Sequence, residues 1–229
     1  MNLTLAPIGR ELLDDPQADP ATVRSALQQI AQSNRWFGGT AAARAGLRMA
    51  LEGRPAGAYS LLDIGTGAGD LPHDLARWAG RRGVRLTTFG VDQHPAAGTL
   101  AAATGLPIAL GCAGDLPFAT GGADFVLLSQ LLHHLAPDSA TAVLREAARV
   151  ARRAVIVADL RRSTVAALAF RVGGALLRFD RVTIDDGVVS LARGYNRHRL
   201  AERFAAAGLS ARITTLPFAR IVGVAQTDA

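Results

Sequence analysis

From Tyr59 onward, short apolar runs of β-type composition alternate with segments of helical periodicity. The runs "YSLLDIG", "LTTFGVD" and "ADFVLLS" are separated by helix-like stretches, of which "LPHDLARWAGRRG" is the first. A helical pattern over residues 139–153, "SATAVLREAARVARR", then precedes the strand-like run "AVIVADL" over residues 154–160. This alternation is typical of βαβ units, whose right-handed crossovers place helices on both faces of a parallel sheet. The sequence therefore predicts an α/β fold built on a doubly wound sheet.

The two ends of the chain depart from that rhythm. After the helical pattern "RHRLAERFAAAG", the runs "SARITTL" and "RIVGVAQT" are joined by only a few residues around Pro217. A connection that short predicts an antiparallel hairpin, because parallel neighbours need a long crossover. Before Tyr59, residues 21–32 and 41–52 have helical patterns, and we expect them to form a cap.

Composition excludes several classes of protein. With 49% hydrophobic and 19% charged residues, the 229-residue chain can bury a core and is unlike a disordered protein. The 25 basic side chains are all Arg and the formal net charge is +6, which gives nucleic-acid binding only modest support. Cys112 alone cannot form an internal disulfide, and we find neither a signal peptide pattern nor a transmembrane segment. We expect a cytoplasmic protein.

The segment "LLDIGTGAGD" places three glycines within five positions directly after an apolar run. In an open parallel sheet, ligands bind beyond the carboxyl ends of the strands, and a glycine-rich first turn lets them contact bare backbone. The dinucleotide fingerprint needs a glycine where this chain has Asp70. Carboxylates at Asp63 and Asp70 would repel a pyrophosphate, whereas they would attract a cationic ligand.

Two more acidic residues follow the next strands. Asp92 ends the second strand, where a carboxylate can accept hydrogen bonds from two ribose hydroxyls. Asp115 lies in "AGDLPF", where it can accept a hydrogen bond from an adenine amino group, while Leu116 and Phe118 can line the ring. The set of motifs therefore favours a ligand that carries both an adenosyl group and a positive charge.

In this order, "DIGTGAGD", "VDQ", "AGDLPF" and "ADFVLLSQLLHHL" resemble the motifs of class I S-adenosylmethionine-dependent methyltransferases. The resemblance covers residues 59–229 and points to the small-molecule branch, similar to the ubiquinone and menaquinone biosynthesis enzymes and to methyltransferase types 11 and 25. It implies S-adenosylmethionine as cofactor and S-adenosylhomocysteine as product. It also implies a Rossmann-like sheet of seven strands in the order 3-2-1-4-5-7-6, with strand 7 antiparallel.

The resemblance further implies roles for matching positions. The methionine portion is expected against Asp63, Gly65, Thr66, Gly67 and Gly69; the ribose against Asp92; the adenine against Gln93, Asp115 and Leu116; and the Ser129 backbone beside the sulfonium.

We expect a single domain over residues 1–229, with a helical cap (1–58), a cofactor-binding half (59–160), a helical lid or substrate insertion after strand 5 (161–195), and a last helix with the terminal hairpin (196–229).

His133 and His134 follow the fourth strand, near the expected position of the transferable methyl group. Adjacent residues in a helical turn point about 100° apart, so one can face the cleft while the other packs. Because histidine titrates near neutral pH, it can take the proton of a hydroxyl acceptor. We predict His133 as the general base and His134 as the second candidate; the alternative is that both are structural. No metal is predicted.

The acceptor side is indicated by aromatic residues. "NRWFGGT" clusters Arg35, Trp36 and Phe37 before two glycines, an arrangement that can close a lid or merely join the cap to the core. Arg35 can pair with the methionine carboxylate through two hydrogen bonds. With Phe170 and Tyr195 also assigned to substrate binding, we expect a small aromatic or acyl-bearing hydroxyl acceptor, and His133 favours O-methylation.

Residues 165–179 are apolar except for Arg171 and Arg178, which lie one heptad apart and so near one helix face. Such a helix can roof an apolar cleft, cover the core, or make shallow contact with a membrane surface.

Three other functions fit parts of the sequence. An RNA methyltransferase would use the Arg pairs at 81–82, 152–153 and 161–162 as phosphate contacts, although no amino-group methylation motif follows strand 4. A non-catalytic, cofactor-binding regulatory protein would keep the same glycine turn. An NAD-dependent oxidoreductase is disfavoured by Asp70.

Overall fold

The sheet has seven strands in the order β3-β2-β1-β4-β5-β7-β6 in the computed structural model, which describes residues 3–6, 8–9, 11–15 and 17–227. The strands are β1 (Ala58–Ile64), β2 (Arg85–Asp92), β3 (Ile108–Leu110), β4 (Ala123–Ser129), β5 (Ala151–Leu160), β6 (Ala211–Leu216) and β7 (Arg220–Gln226). Only β7 runs antiparallel to its neighbours, β5 and β6. The predicted strand order and the antiparallel seventh strand are confirmed.

Helices cover both faces of the sheet. They are α1 (Pro20–Trp36), α2 (Gly39–Leu51), α3 (Asp70–Gly80), α4 (Pro95–Ala103), α5 (Pro137–Val150), α6 (Thr164–Leu176), α7 (Arg181–Arg193) and α8 (Arg197–Ala206). Short 3₁₀ turns lie at Leu12–Asp14 and Leu132–His134. The start of α1 follows local chemistry: the helix begins at Pro20, and the Asp19 side chain accepts a hydrogen bond from the Thr22 amide at 2.9 Å.

The central strands are buried on both sides. Every residue of β4 is buried, as the continuous apolar run "ADFVLLS" requires between two helical layers. One core cluster joins the sheet to α5 and α8, and includes Leu144 and Phe204. The other joins it to α2 and α3, and includes Leu47 and Leu75. These layers hold the carboxyl ends of β1, β4 and β5 at one edge, where the site lies.

Helix α2, in the N-terminal region expected to form a cap, packs against the sheet as part of the helical layer that covers it. Ala43 and Leu47 are fully buried in the same cluster as Ile156 of β5 and Val222 of β7. Gly46 lies so close to the Ile156 side chain that a Cβ atom would overlap it. The alanine-rich face of α2 makes this close approach to the sheet possible.

Strand β5 begins earlier than the sequence pattern indicates, because the expected helix through residue 153 ends at Val150. Arg152 and Arg153 lie at the start of the strand, where their guanidinium groups approach Asp124 Oδ1 at 3.1 Å and 2.9 Å. The ion pairs favour an extended backbone here. They also occupy one of the Arg pairs that an RNA-binding protein would present to phosphates.

The segment between β5 and α8 folds into the helices α6 and α7, which share a small core containing Phe170, Phe179 and Leu191. The outer face of α6 is apolar and exposed, and we name it the α6 stripe: Val165, Leu168, Val172 and Leu176. Among the described residues, no helix combines the length and apolar character needed to cross a bilayer.

Candidate active site

A cavity of about 230 Å³ opens at the carboxyl edge of the sheet, between the glycine turn, α1, α6 and α7. The turn after β1 brings its backbone to the wall: Gly65, Gly67 and Gly69 all have φ between 55° and 75°. Residues with a Cβ rarely adopt this left-handed conformation, so glycine is required for the turn's shape. The backbone is thereby left bare toward the cavity.

Asp63 ends β1 beneath this turn and is 1% exposed. Its Oδ2 accepts a hydrogen bond from Thr66 Oγ1 at 2.9 Å, while its Oδ1 has no hydrogen-bond partner among the described residues. Burial raises the pKa of Asp63 to about 8, and the nearby charges of Asp70 and Asp92 add to the rise. A buried acceptor without a donor is costly, so this atom points to a bound ligand.

Asp70 and Asp92 extend the acidic side of the site. Asp70 opens α3 and accepts a hydrogen bond from Asn34 Nδ2 at 3.0 Å, and Asp92 accepts one from the Gly67 amide at 3.0 Å. Burial raises the pKa of both carboxyl groups. A bound cation would favour the ionised forms of these carboxyl groups and so lower their pKa values again. The sulfonium and ammonium charges of S-adenosylmethionine fit that requirement, and a pyrophosphate does not.

The predicted cofactor residues divide between the cavity wall and its surroundings. Asp63, Gly65, Thr66, Gly67 and Ser129 line the cavity. Gly69, Asp92, Gln93, Asp115 and Leu116 lie outside its wall, in the glycine turn and after β2 and β3. Arg35 is exposed and borders a separate surface pocket with Gly69 and Asp70.

His133 lies in the 3₁₀ turn after β4 and is held by the end of β5. Its Nδ1 is 2.6 Å from Asp159 Oδ1, and both side chains are buried. Burial would raise the pKa of Asp159, but the charge and hydrogen bond of His133 outweigh it and lower that pKa. The other ring nitrogen, Nε2, has no partner among the described residues and belongs to the cavity wall. The arrangement leaves one nitrogen anchored and one available.

His134 also reaches the cavity but is engaged in an ion-pair network. Its Nδ1 is 3.0 Å from Asp14 Oδ1, and the buried Arg193 donates to Glu11 Oε1 and Asp14 Oδ2 at 2.8 Å each. Glu11, His133 and His134 each have a potential ligand atom within 4.8 Å of the others, a spacing that a metal ion could use. Because Arg193 already neutralises the carboxylates, the donor set fits an ion-pair network, and we assign no metal to it.

The aromatic residues assigned to the acceptor do not all meet there. Phe37 and Phe170 line the cavity, with ring centroids 4.9 Å apart in an edge-on arrangement. Trp36 is 61% exposed and lies outside the wall, because α1 turns it toward solvent. Tyr195 is buried in the main core, where its hydroxyl donates to the Leu132 carbonyl at 3.1 Å. The structure thus places Trp36 and Tyr195 outside the cavity wall, and Tyr195 supports the turn that carries His133.

Several residues in the cavity wall or in contact with it were not found from the sequence. Asp159 ends the apolar run "AVIVADL", so the strand-end rule that found Asp63 and Asp92 could have found it. Glu11, Arg193 and Arg220 gave no local signal, because the contacts that bring them to the cavity join distant parts of the chain. Thr183, from α7, is a further buried wall residue, and its Oγ1 has no partner among the described residues.

Together, the sheet order, the glycine turn and the carboxylates around it are the features of a class I S-adenosylmethionine-dependent methyltransferase. Residues 62–158, from β1 to β5, match the family model described as a methyltransferase domain. None of the curated proteins compared with the sequence matches it.

Solved structures share the fold. TnmH is 25% identical, with a TM-score of 0.65 over 96% of this chain and 62% of its own. PigF with S-adenosylhomocysteine is 22% identical, with a TM-score of 0.63 over 94% of this chain and 62% of its own. Magnesium protoporphyrin IX methyltransferase (ChlM) from Synechocystis PCC 6803, also with S-adenosylhomocysteine bound, is 15% identical, with a TM-score of 0.58 over 85% of both chains. The chain thus spans less than two thirds of the length of TnmH and PigF.

Proposed function

We propose that this enzyme methylates a hydroxyl oxygen of a small aromatic or acyl-bearing molecule, with His133 as the general base. One observation carries the proposal: His133 is buried, its Nδ1 is held by Asp159 at 2.6 Å, and its Nε2 is left without a partner at the cavity wall.

His133 and Asp159 would act as a pair. Because the pKa of Asp159 is lowered, its carboxylate is ionised at neutral pH and accepts the Nδ1 hydrogen. This hydrogen bond fixes the tautomer whose Nε2 lone pair faces the cavity, and the carboxylate stabilises the imidazolium once Nε2 has taken the acceptor's proton. When bound, S-adenosylmethionine supplies a methyl group already activated by a positively charged sulfur. The chain then needs only to align the acceptor, exclude water and remove one proton.

The cofactor would lie along the glycine turn. We propose that Asp63, Gly65, Thr66, Gly67 and Gly69 hold the methionine portion, with Arg35 at its rim. Asp92 would bind the ribose, while Gln93, Asp115 and Leu116 surround the adenine and the Ser129 backbone adjoins the sulfonium. The unpartnered Asp63 Oδ1 and the acidic surroundings support this placement.

The acceptor would occupy the part of the cavity between Phe37 and Phe170. These rings and the neighbouring Leu160 and Leu191 offer an apolar, partly aromatic wall that suits a flat ring. ChlM, which shares the fold, acts by its name on a large conjugated ring. The narrower assignment to the quinone-biosynthesis branch stays a prediction.

We further propose that the enzyme works in a reducing cytoplasm and touches a membrane surface through the α6 stripe. Exposed Leu168 and Leu176 lie on α6, and Arg171 and Arg178 flank them. Apolar side chains beside guanidinium groups suit the boundary between anionic headgroups and acyl chains.

Substitution of His133 tests the proposed base. His133→Ala and Asp159→Asn should lower kcat by about 10²- to 10⁴-fold on any accepted phenol or quinol, because general-base catalysis is lost. The dissociation constant of S-adenosylhomocysteine should change less than about twofold, since neither side chain borders the carboxylate cluster. Turnover would be followed with radiolabelled cofactor across a panel of phenols, quinols and hydroxylated acyl aromatics, and cofactor affinity by calorimetry.

Two comparisons sharpen that experiment. His198→Ala removes an exposed histidine that pairs only with Glu202 among the described residues, and it should leave kcat unchanged. His134→Gln should have a smaller effect than His133→Ala, because His134 contacts Asp14. Full activity in His133→Ala would overturn the proposed base. Tight cofactor binding without turnover of any compound in the wild type would support the non-catalytic alternative.

A further inference from the structure

Arg220 is a buried cation in the cavity wall whose charge no carboxylate neutralises directly. It opens β7, is 3% exposed, and lines the cavity with Phe37 and Phe170. Within the described part of the chain, no Asp or Glu oxygen lies within ion-pair distance of its guanidinium group. A buried charge is costly unless it is paired, so the unpaired state needs an explanation.

The hydrogen bonds of Arg220 orient its guanidinium group but leave its charge unpaired and one of its donors free. Its Nε donates to the Phe37 carbonyl at 2.8 Å and its Nη1 to Gln130 Oε1 at 2.6 Å, so both partners are uncharged. Its Nη2 has no partner among the described residues. Gln130 is itself held by a hydrogen bond to Asn34 Oδ1 at 2.6 Å and adopts a φ of 51°. A guanidinium group that is held by two hydrogen bonds and keeps one vacant N–H donor is well placed to bind an anion such as a carboxylate.

Burial lowers the pKa of Arg220 to about 10, while the charge of Asp159 opposes that shift. The guanidinium group is therefore charged at neutral pH. Asp159 is already engaged by His133 Nδ1 and by the Leu160 amide at 2.7 Å, and it does not contact Arg220 within ion-pair distance. The negative charge of Asp159 therefore stabilises the Arg220 guanidinium group, but Asp159 does not occupy the vacant Nη2 donor.

The backbone of Arg220 lies away from the cofactor's carboxylate cluster, while hydrogen bonds through Gln130 and Asn34 connect its side chain to Asp70. Arg220 pairs in register with Leu160, next to Asp159, so it lies on the His133 side of the cavity. Asp63 lies on β1, and β4 and β5 separate β1 from β7. Since neighbouring strands are about 4.8 Å apart, the backbones of the two residues lie on the order of 14 Å apart. The backbone separation favours the acceptor as the source of an anion at Arg220, and the methionine carboxylate of the cofactor is the alternative that the experiment below separates.

We propose that Arg220 binds an anionic group of the acceptor, so that the substrate class is an aromatic hydroxy acid whose hydroxyl faces His133 and whose carboxylate faces Arg220. The inference rests on the proposed function for the role of His133. The vacant Nη2, beside the fixed Nη1, offers the carboxylate a charge-assisted contact in a water-poor cavity, where such contacts are strong. Asp186 on α7 also lines the cavity and would repel the same carboxylate if the acceptor bound near it in a reversed orientation.

Binding to the protein loaded with S-adenosylhomocysteine tests this without requiring turnover. The probes are the three hydroxybenzoate isomers and their uncharged hydroxybenzamides, titrated by calorimetry at one ionic strength. For at least one isomer, the wild type should bind the acid at least about tenfold more tightly than the amide, as a charge-assisted contact predicts. Arg220→Gln should reduce that preference to within about twofold, and Arg220→Lys should retain part of it.

The outcomes separate this inference from the proposed base. Affinity for S-adenosylhomocysteine, measured for each variant, reports whether the site is still folded and whether the anion belongs to the cofactor. If Arg220→Gln weakens S-adenosylhomocysteine more than it weakens the acid, or if the wild type does not prefer any acid over its amide, the inference is overturned. His133→Ala should keep the preference for the acid while losing turnover, so the failure of one idea does not imply the failure of the other.

Discussion

Burial of the Asp63 carboxyl group should make the stability of the whole protein depend on pH. Burial raises its pKa to about 8, whereas a carboxyl group in the unfolded chain titrates near about 3.9. The folded state therefore holds a proton that the unfolded state has lost between these two values. Stability from this group is complete below about pH 4 and is lost as the pH rises through about 8.

Asp63→Asn should remove that pH dependence. Between pH 5 and pH 9, the free energy of unfolding of the wild type should fall by about 2–4 kcal/mol more than that of the variant, because asparagine releases no proton. Urea unfolding of the ligand-free protein at several pH values would measure it. Asp138→Asn makes the same chemical change at an exposed position on α5 and should leave the wild-type slope intact. An identical slope in Asp63→Asn would show that Asp63 is not protonated in the folded state.

Single residues of the site were predictable where the local pattern places them. Asp63 follows an apolar strand and precedes a glycine turn, and His133 follows the next central strand, so each sits at the carboxyl edge of the sheet by rule. Arg220 reaches the same cavity from a distant part of the chain and contacts Gln130, and Arg193, equally distant in sequence, contacts the cavity residue Glu11. Nothing in the residues beside them in sequence indicates those partners, which only tertiary packing supplies.

At the scale of elements, the close approach of α2 to the sheet depends on Gly46. A Cβ atom there would overlap the Ile156 side chain and contact Val222 at 3.4 Å. Gly46→Ala should lower the free energy of unfolding by about 1–2 kcal/mol, because overpacking costs more than the gain in helix propensity. Chemical denaturation would measure this loss.

The matched control for α2 is the last residue of α3. A Cβ atom at Gly80 would meet nothing within 4 Å, so Gly80→Ala should leave stability unchanged or raise it by up to about 1 kcal/mol. The same substitution in two helices would thus have opposite effects. Equal effects would mean that α2 can move away from the sheet at little cost.

The α6 stripe makes a separate prediction about the outer surface. Leu168 is 66% exposed and Leu176 is 80% exposed, so the double substitution Leu168→Ser/Leu176→Ser removes little internal packing. Wild-type protein should bind vesicles containing phosphatidylglycerol, and the double variant should bind at least about tenfold more weakly, since each buried leucine contributes about 1.5–3 kcal/mol. Co-sedimentation would measure binding.

The specificity of that binding can be checked with a surface leucine elsewhere. Leu110→Ser, on β3, changes a side chain that is 59% exposed and should leave vesicle binding unchanged. Vesicles of phosphatidylcholine alone should bind weakly, because the flanking Arg171 and Arg178 need an anionic surface. Equal binding of the wild type and the double variant would exclude the stripe as the contact.

Element types followed from periodicity, whereas some boundaries and partners did not. The alternation of apolar strands and helices predicted β1, β2 and β4 closely, because buried parallel strands leave a continuous apolar run. The start of β5 was placed too late, since Arg152 and Arg153 looked like the polar end of a helix. Their ion pairs with Asp124, on a neighbouring strand, decide the local conformation, and a single segment of sequence does not contain that partner.

For the whole molecule, net charge is a poor guide to the ligand. The formal charge is +6, yet several arginines are engaged within the protein: Arg82 lies 4.1 Å from the centre of the Trp78 ring, and Arg193 is buried between Glu11 and Asp14. At the site itself, the buried carboxylates around the glycine turn set the local field. The position of charged groups at the site, rather than the net charge of the protein, therefore decides which cofactor binds.

The acidic groups around the glycine turn should favour binding of S-adenosylhomocysteine over NADH, although both ligands contain adenosine. At a concentration 100-fold above its dissociation constant, S-adenosylhomocysteine adds about 2.7 kcal/mol to the free energy of unfolding, which corresponds to a rise in Tm of about 5–10 °C for a chain of this size. NADH at the same concentration should raise Tm by less than about 1 °C, because its pyrophosphate would face Asp63 and Asp70 where a dinucleotide site offers glycine and backbone amides. Thermal unfolding with each ligand measures both shifts, and adenosine serves as the control for the shared moiety. A rise with NADH as large as that with S-adenosylhomocysteine would mean that these carboxylates do not govern which ligand enters the turn.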